Sequence, residues 1–314
     1  DSTTTTFIRT NRFRDDKRGF YFDKHAIVTG GSSGIGEAVA ALLLSKGCKV
    51  TIVGRDQRRL DAAVERLQKE IPIHLRKPDL AKRVQGVAAD VSDHKAVSTS
   101  FDRAQDQFGN VDVLVCSAGT PLAKRCEDTT PEEFEQVLKV NFLGCVNAVK
   151  ACLETLNRKR GSRICLISSQ AGQVGVFGYT AYSASKFALR GFAEALHKET
   201  LPFGTAVTLV HPPDTDTPQL AQENETKPPE TKAISSASAT FKPGPVAAEC
   251  VRAIEAGDFN SAVGFDGWML GTLTAGFAPQ TRPLSALAEI ALGGIFRIVA
   301  LAYLSSWHGI IRKL

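Results

Sequence analysis

From Lys24 onward, short apolar runs alternate with longer stretches whose apolar residues recur every three or four positions. "HAIVTG" is followed by "GIGEAVAALLLSKG", and "KVTIVG" by the charged "RDQRRLDAAVERLQKEI". "QGVAADV", "VDVLVC", "SRICLIS" and "TAVTLV" continue the series, and "SAVGF" supplies a last short run. Runs that are apolar throughout, rather than alternating, belong to strands covered on both faces. Strands separated by helical segments predict an α/β fold, a doubly wound parallel sheet of about seven strands with helices on both faces. The first helix should stop at Gly47, where a glycine can end it.

Three segments depart from this rhythm. Residues 1–23 contain "FIRTNRFRDDKRGFYF", which has no period and reads as an N-terminal arm, either disordered or in contact with a membrane surface. "PIHLRKPDLAKRV" at 72–84 reads as a basic surface excursion. Residues 219–243, polar and rich in Pro, Ser and Thr, read as a mobile lid. The organisation expected is therefore an arm at 1–23, a nucleotide-binding domain at 24–270 and an apolar C-terminal helical extension at 271–314. Asp1 is not an initiator residue, which implies a preceding segment.

Composition changes this picture little. With 43% hydrophobic and 23% charged residues the chain is an ordinary globular one, which excludes disorder as its main state. A net charge of +5 over 314 residues is too mild to argue for nucleic acid, and none is expected as a partner. Seven cysteines without a C-x-x-C, several inside apolar runs, suggest reduced, buried thiols. The six histidines show no ligand spacing, so no metal is expected.

"TGGSSGIG", Thr29 to Gly36, lies between the first strand and the first helix. Glycines there permit a tight turn and close backbone approach, and the helix N-terminus meets the charge of a pyrophosphate. The contacts expected from this loop are Gly30, Ser32, Ser33, Gly34, Ile35 and Gly36. At the end of the second strand an acidic residue would suit the ribose hydroxyl of NAD, and an arginine a 2′-phosphate. The chain has Gly54 followed by Arg55, with Arg59 a helical turn on, so the cofactor expected is NADPH. The competing reading of these arginines is a solvated helix face. Asp90, with Val91, closes the third strand where the adenine amine would be met.

"YSASK" puts Tyr182 and Lys186 four residues apart, on one face of a helix. A free phenol, with pKa about 10, is a reluctant acid–base partner at neutral pH. A neighbouring ammonium would favour the phenolate and bring it closer to working pH. Alone, the pair could equally be accidental. With the glycine pattern, Ser169 thirteen positions before Tyr182, and Asn141 in "VNFLG", the chain resembles the short-chain dehydrogenase/reductase family over roughly residues 24–270. The resemblance implies a Rossmann-type fold and a catalytic set of Ser169, Tyr182, Lys186 and Asn141. Tyr182 would donate the proton, Lys186 would tune it and reach the nicotinamide ribose, Ser169 would hold the substrate carbonyl, and Asn141 would keep a water in line with Lys186. Two departures stand out. The family's N-N-A-G is Cys116, Ser117, Ala118, Gly119 here, which weakens any claim for Ser117. Its P-G-x-V-x-T becomes "PPDTDT", with Pro213 for the glycine and Thr215 for the valine. Thr215 and Thr217 are then expected near the nicotinamide carboxamide.

Within the family, "SSQAGQVGVFGYTAYSASKFALRGFAEAL", "PPDTDTP", "ENETKPPET" and "FNSAVGFDGWMLGTLTAGFAP" resemble the group that reduces 3-ketosphinganine to sphinganine with NADPH. This implies a long-chain ketone substrate, a location at the endoplasmic reticulum membrane with the site facing the cytosol, and a homodimer or homotetramer. "LAEIALGGIFRIVALAYLSSWHGIIRKL" fits that location, although Glu289 and Arg297 interrupt it. An arginine at a helix centre costs roughly 2.5–3.5 kcal/mol on insertion, which favours an interfacial or re-entrant helix pair anchored by Trp307, Arg312 and Lys313. A helix packed on the domain or on another subunit is the alternative. A hydroxysteroid or retinoid dehydrogenase of the same family remains open, as does a non-catalytic NADPH-sensing scaffold. The scaffold would need none of Ser169, Tyr182 and Lys186.

Overall fold

The computed structural model describes residues 19–75, 83–236 and 238–314. Seven strands form its sheet: β1 His25–Thr29, β2 Lys49–Gly54, β3 Val84–Ala88, β4 Val113–Cys116, β5 Arg163–Ile167, β6 Ala206–His211 and β7 Asn260–Ala262. Their order is β3-β2-β1-β4-β5-β6-β7, parallel throughout. The helices between strands are α1 Gly34–Ser45, α2 Gln57–Leu67, α3 His94–Phe108, α4 Pro131–Leu138, α5 Gly144–Asn157 and α6 Thr180–Thr200. After β6 come α7 Pro218–Thr226, α8 Pro229–Ser235 and α9 Pro243–Ala256; α10 Gly264–Leu273 and α11 Pro283–Ile311 follow β7.

Why the strands are largely apolar is visible in the two cores. On β1, Ala26 and Val28 face one cluster, with Leu43, Leu60 and Val251, while Ile27 faces the other, with Phe101, Val149 and Leu189. Strands β4 and β5 divide in the same way: Val113, Val115, Cys165 and Ile167 to the first side, Leu114, Cys116, Ile164 and Leu166 to the second. Side chains alternate across a strand, and helices cover both faces, so both sets are mostly apolar, with exceptions such as Thr51 paired to His25. Because β1 pairs with β2 on one side and β4 on the other, the chain leaves in opposite directions there, opening a crevice at the strands' C-terminal ends.

Local signals set the helix ends. Helix α1 closes with the Gly47 and Cys48 amides donating to the Leu44 and Leu43 carbonyls. Asp56 caps α2 by accepting from the Arg58 and Arg59 amides, and Thr130 with Glu133 forms a reciprocal capping box on α4. Between α4 and α5 the chain takes a π-turn, Lys139–Leu143, which carries Asn141. Such single-turn insertions mark functional positions often.

The structure corrects the reading of the arm's end and of the lid, and of the basic excursion at Leu75 and Arg83 only. Tyr21, at the end of the expected arm, is 1% exposed and donates from its hydroxyl to the Val251 carbonyl at 2.6 Å. Phe20 and Phe22 pack against the same core; residues 1–18 lie outside the described part. Of the basic excursion, Leu75 is buried and Arg83 is 4% exposed, donating to the Gly47 carbonyl at 2.9 Å. Residues 76–82 lie outside the described part. The expected mobile lid is two docked helices, α7 and α8; Ile234 is buried there, and so are the polar Glu223, Glu230 and Thr231, with Lys227 between the helices. Thr231 donates to the Phe177 carbonyl, and Arg125 pairs with Glu230. Polar composition suggested solvent; partners across the fold made burial possible instead.

Candidate active site

One cavity of about 940 Å³ runs from the glycine loop to α10 and α11. At its inner end Gly30 has φ +69°, and a Cβ there would lie 2.7 Å from the Ala118 amide nitrogen. A Cβ on Gly36 would lie 2.4 Å from the Gly30 carbonyl oxygen, so neither position admits a side chain. Thr29 ties this loop to the one after β4, accepting at its hydroxyl from the Ser117 and Ala118 amides at 3.2 and 3.3 Å. Ser33 precedes α1 but its hydroxyl does not cap the helix. The first-turn amides therefore face the cavity available to an anion, as a pyrophosphate requires.

Ser32, Gly34 and Ile35 also line the cavity, as do Arg55 and Arg59, whereas Arg58 does not. A Cβ on Gly54 would stand 3.7 Å from the Ser32 hydroxyl, so the end of β2, the loop serine and the two guanidiniums enclose one corner. Arg59 is 3.8 Å from Asp56, both side chains well exposed, a pairing weak enough to release it. Burial works against ionisation of Asp90, but bonds from the Ser92 amide and hydroxyl, and the Arg55 charge, hold its carboxyl below the usual range. Val91 lies beside it in the wall.

At the other end Tyr182 and Lys186 share the wall with Ser169. The Lys186 ammonium lies 5.5 Å from the centroid of the Tyr182 ring and donates to the Ile167 carbonyl at 3.1 Å. Ser169 hydrogen-bonds the Tyr182 hydroxyl and accepts from the Ala171 amide at 3.1 Å, so it caps the turn after β5 as well as facing the phenol. Thr215 and Thr217 line the cavity too. Their hydroxyls are engaged locally, Thr215 donating to the Pro213 carbonyl and Thr217 accepting from the Leu220 amide as the cap of α7.

Asn141 is not in the wall but behind it. Its Oδ1 accepts from the Thr120 amide at 2.8 Å, and its Nδ2 donates to the Thr120 carbonyl and the Ser185 hydroxyl, each at 3.1 Å. The side chain is committed to holding the loop after β4 against α6.

The electrostatics reverse one expectation. Burial and the Glu223 charge, rather than Lys186, set the direction of the Tyr182 shift. Burial raises the pKa above the ordinary tyrosine value, the Glu223 charge raises it further, and bonds to Ser169 and Gln219 offset only part. Burial also lowers Lys186 to about 8. The arrangement keeps the phenol protonated, as a proton donor to a reduced carbonyl must be.

Sequence reasoning missed three residues of this wall. Tyr179 donates to Glu223, and Gln219, one turn before Glu223 on α7, bonds the Tyr182 hydroxyl. A signal existed in the i, i+4 spacing of Gln219 and Glu223, and it is readable only if the segment is recognised as helical. Beyond them Met269, Leu273, Leu304 and Trp307 make the far end largely apolar, with Asp266 and Arg297 also in its lining. Helix α11 is one unbroken helix of 29 residues, not a re-entrant pair. Leu284, Ile290 and Ile298 are 81%, 82% and 70% exposed along it.

The profile described as short chain dehydrogenase matches residues 24–228. The chain is 43% identical over 290 residues to a "3-ketodihydrosphingosine reductase" of Bos taurus, covering 92% of this chain and 86% of that one. Its identity to a "3-dehydrosphinganine reductase" of Danio rerio is 43% with the same coverages. Among solved structures, a short chain dehydrogenase from Burkholderia cenocepacia in complex with NADP superposes with a TM-score of 0.64 at 31% identity, covering 75% of this chain and 92% of that one.

Proposed function

Since the chain belongs to the short-chain dehydrogenase family, we propose that it reduces 3-ketosphinganine to sphinganine with NADPH. The observation that carries this is the continuity of one cavity from a side-chain-free cradle, past Ser169, Tyr182 and Lys186, to a largely apolar far end. The cradle fits the cofactor: Gly30 and Gly36 leave room for a pyrophosphate, and Arg55, Arg59 and Ser32 surround the corner suited to a 2′-phosphate. Bound there, NADPH supplies the hydride for the carbonyl carbon. Tyr182, held protonated by burial, gives its proton to the carbonyl oxygen, and Ser169 hydrogen-bonds that oxygen and fixes its direction. Lys186, with a pKa of about 8, exchanges protons readily near neutral pH and restores the phenol. Asn141 positions Thr120 with its side chain, which leaves only its main-chain carbonyl to hold a water toward Lys186. Thr215 and Thr217 line the side where the carboxamide would be held.

The apolar end suits an alkyl chain, each buried methylene of which is worth about 0.8 kcal/mol. At 1.5 Å per residue α11 is roughly 43 Å long, more than the ≈30 Å of a hydrocarbon core, and its exposed apolar side chains support membrane association. We read the location as the endoplasmic reticulum membrane, with the site facing the cytosol. The unpaired cysteines agree with a reducing compartment. Leu143 and Phe187, exposed beside α5 and on α6, support pairing of two copies through these helices. The test is NADPH oxidation with 3-ketosphinganine in detergent micelles, with NADH as control. Turnover should fall by about 10²- to 10⁴-fold in Tyr182→Phe while NADPH still binds. Wild-type turnover in that variant would refute the assignment.

A further inference from the structure

Resting on the reading above, we propose that Glu223 recognises the free ammonium that the substrate carries on the carbon next to its ketone, and so restricts the enzyme to unacylated amino ketones. Two side chains of α7 reach the start of α6: Gln219 meets Tyr182 and, one turn on, Glu223 meets Tyr179. The two tyrosine rings are 5.8 Å apart. A group held one rung from the proton donor is where a substituent on the adjacent carbon must fall. Glu223 is 7% exposed and lines the cavity.

Its partners leave a charge uncompensated. Oε1 accepts from the Tyr179 hydroxyl and from the Lys227 ammonium, the latter at 2.9 Å. Oε2 takes no hydrogen bond from the described residues. Lys227 is also 3.5 Å from Asp214, so one buried ammonium serves two carboxylates. A structural ion pair would need one carboxylate. The second, Asp214, is 37% exposed and keeps its hydration, yet it leaves the three groups net negative at the cavity wall, which favours a further cation. Lys186 is turned toward the Ile167 carbonyl and does not fill that part. The primary ammonium of an α-amino ketone has the right sign and three donors, and sits on the carbon next to the carbonyl. An N-acylated ketone has no charge to offer, and would leave the carboxylate unpaired.

The experiment compares kcat/KM for a short, water-soluble amino ketone with that for the same ketone lacking the amine. The readout is their ratio, in which the folded fraction of each variant cancels. In Glu223→Gln the ratio should fall by about tenfold or more, the worth of a charge-assisted hydrogen bond, mostly through KM. Glu223→Asp, which keeps the charge, should recover part of it. A ratio that stays within about threefold of wild type in Glu223→Gln overturns the proposal, because a carboxylate that only anchors α7 would affect both ketones alike. If the wild-type protein turns over no 3-ketosphinganine, the proposed function fails first and takes this recognition with it. If it does, and only the ratio is unmoved, the recognition alone is wrong.

Discussion

Replacing Gly54 with aspartate should convert the cofactor preference. The position tolerates a side chain: its Cβ would lie 3.5 Å from Leu60 Cδ2, 3.7 Å from Ser32 Oγ and 3.8 Å from Leu60 Cγ, which is ordinary contact. The added carboxylate would start beside the Ser32 hydroxyl, in the corner that Arg55 and Arg59 border. Two unit charges about 5 Å apart at an intermediate dielectric near 40 repel by roughly 1.7 kcal/mol. A phosphate carrying about −1.5 to −2 then loses about 3 kcal/mol, before any loss of attraction from arginines drawn to the new carboxylate. That is on the order of a hundredfold in kcat/KM for NADPH, while NADH gains an acceptor for its ribose hydroxyl. The assay is the ratio of kcat/KM for NADPH and NADH at saturating ketone, with an unfolding midpoint to show that the fold is retained. A ratio within about threefold of wild type in a folded variant would refute the placement of the phosphate corner.

Three further outcomes follow from the same geometry. Asn141→Ala removes three hydrogen bonds at a fully buried site and should cost about 2–4 kcal/mol in urea unfolding, with the Thr120 loop released; a loss under about 0.5 kcal/mol would mean that the loop is held by something else. His25 and His211 are both lowered to about 4, chiefly by burial. Their unfolded forms bind more protons between pH 6.5 and 4, so stability should fall with pH in that window, by about 2 kcal/mol for each at pH 5. Flat stability from pH 7 to 5 would contradict their burial as neutral rings. Finally, the protein should co-float with liposomes, and a double change of Ile290→Lys and Ile298→Lys should weaken that binding by tenfold or more, about 1.4 kcal/mol; unchanged flotation would remove α11 from the contact.

What the sequence determined by itself is everything set by local period and spacing. Short apolar runs alternating with helical stretches indicate doubly covered strands, "TGGSSGIG" between a strand and a helix indicates a bare turn, and the i, i+4 spacing of Tyr182 and Lys186 puts both on one helix face. Such features depend on neighbours in the chain, so they survive without knowledge of the fold. The tertiary structure decided what depends on distant partners. Tyr21 is core because Val251, 230 residues away, accepts its hydroxyl, and polar α7 is a wall because Tyr179 lies 44 residues before Glu223. The sign of the Tyr182 shift is of the same kind. Spacing alone suggests a helpful ammonium, whereas burial and a carboxylate delivered by another helix outweigh it. Burial and long-range charge are properties of packing, and no window of sequence contains them.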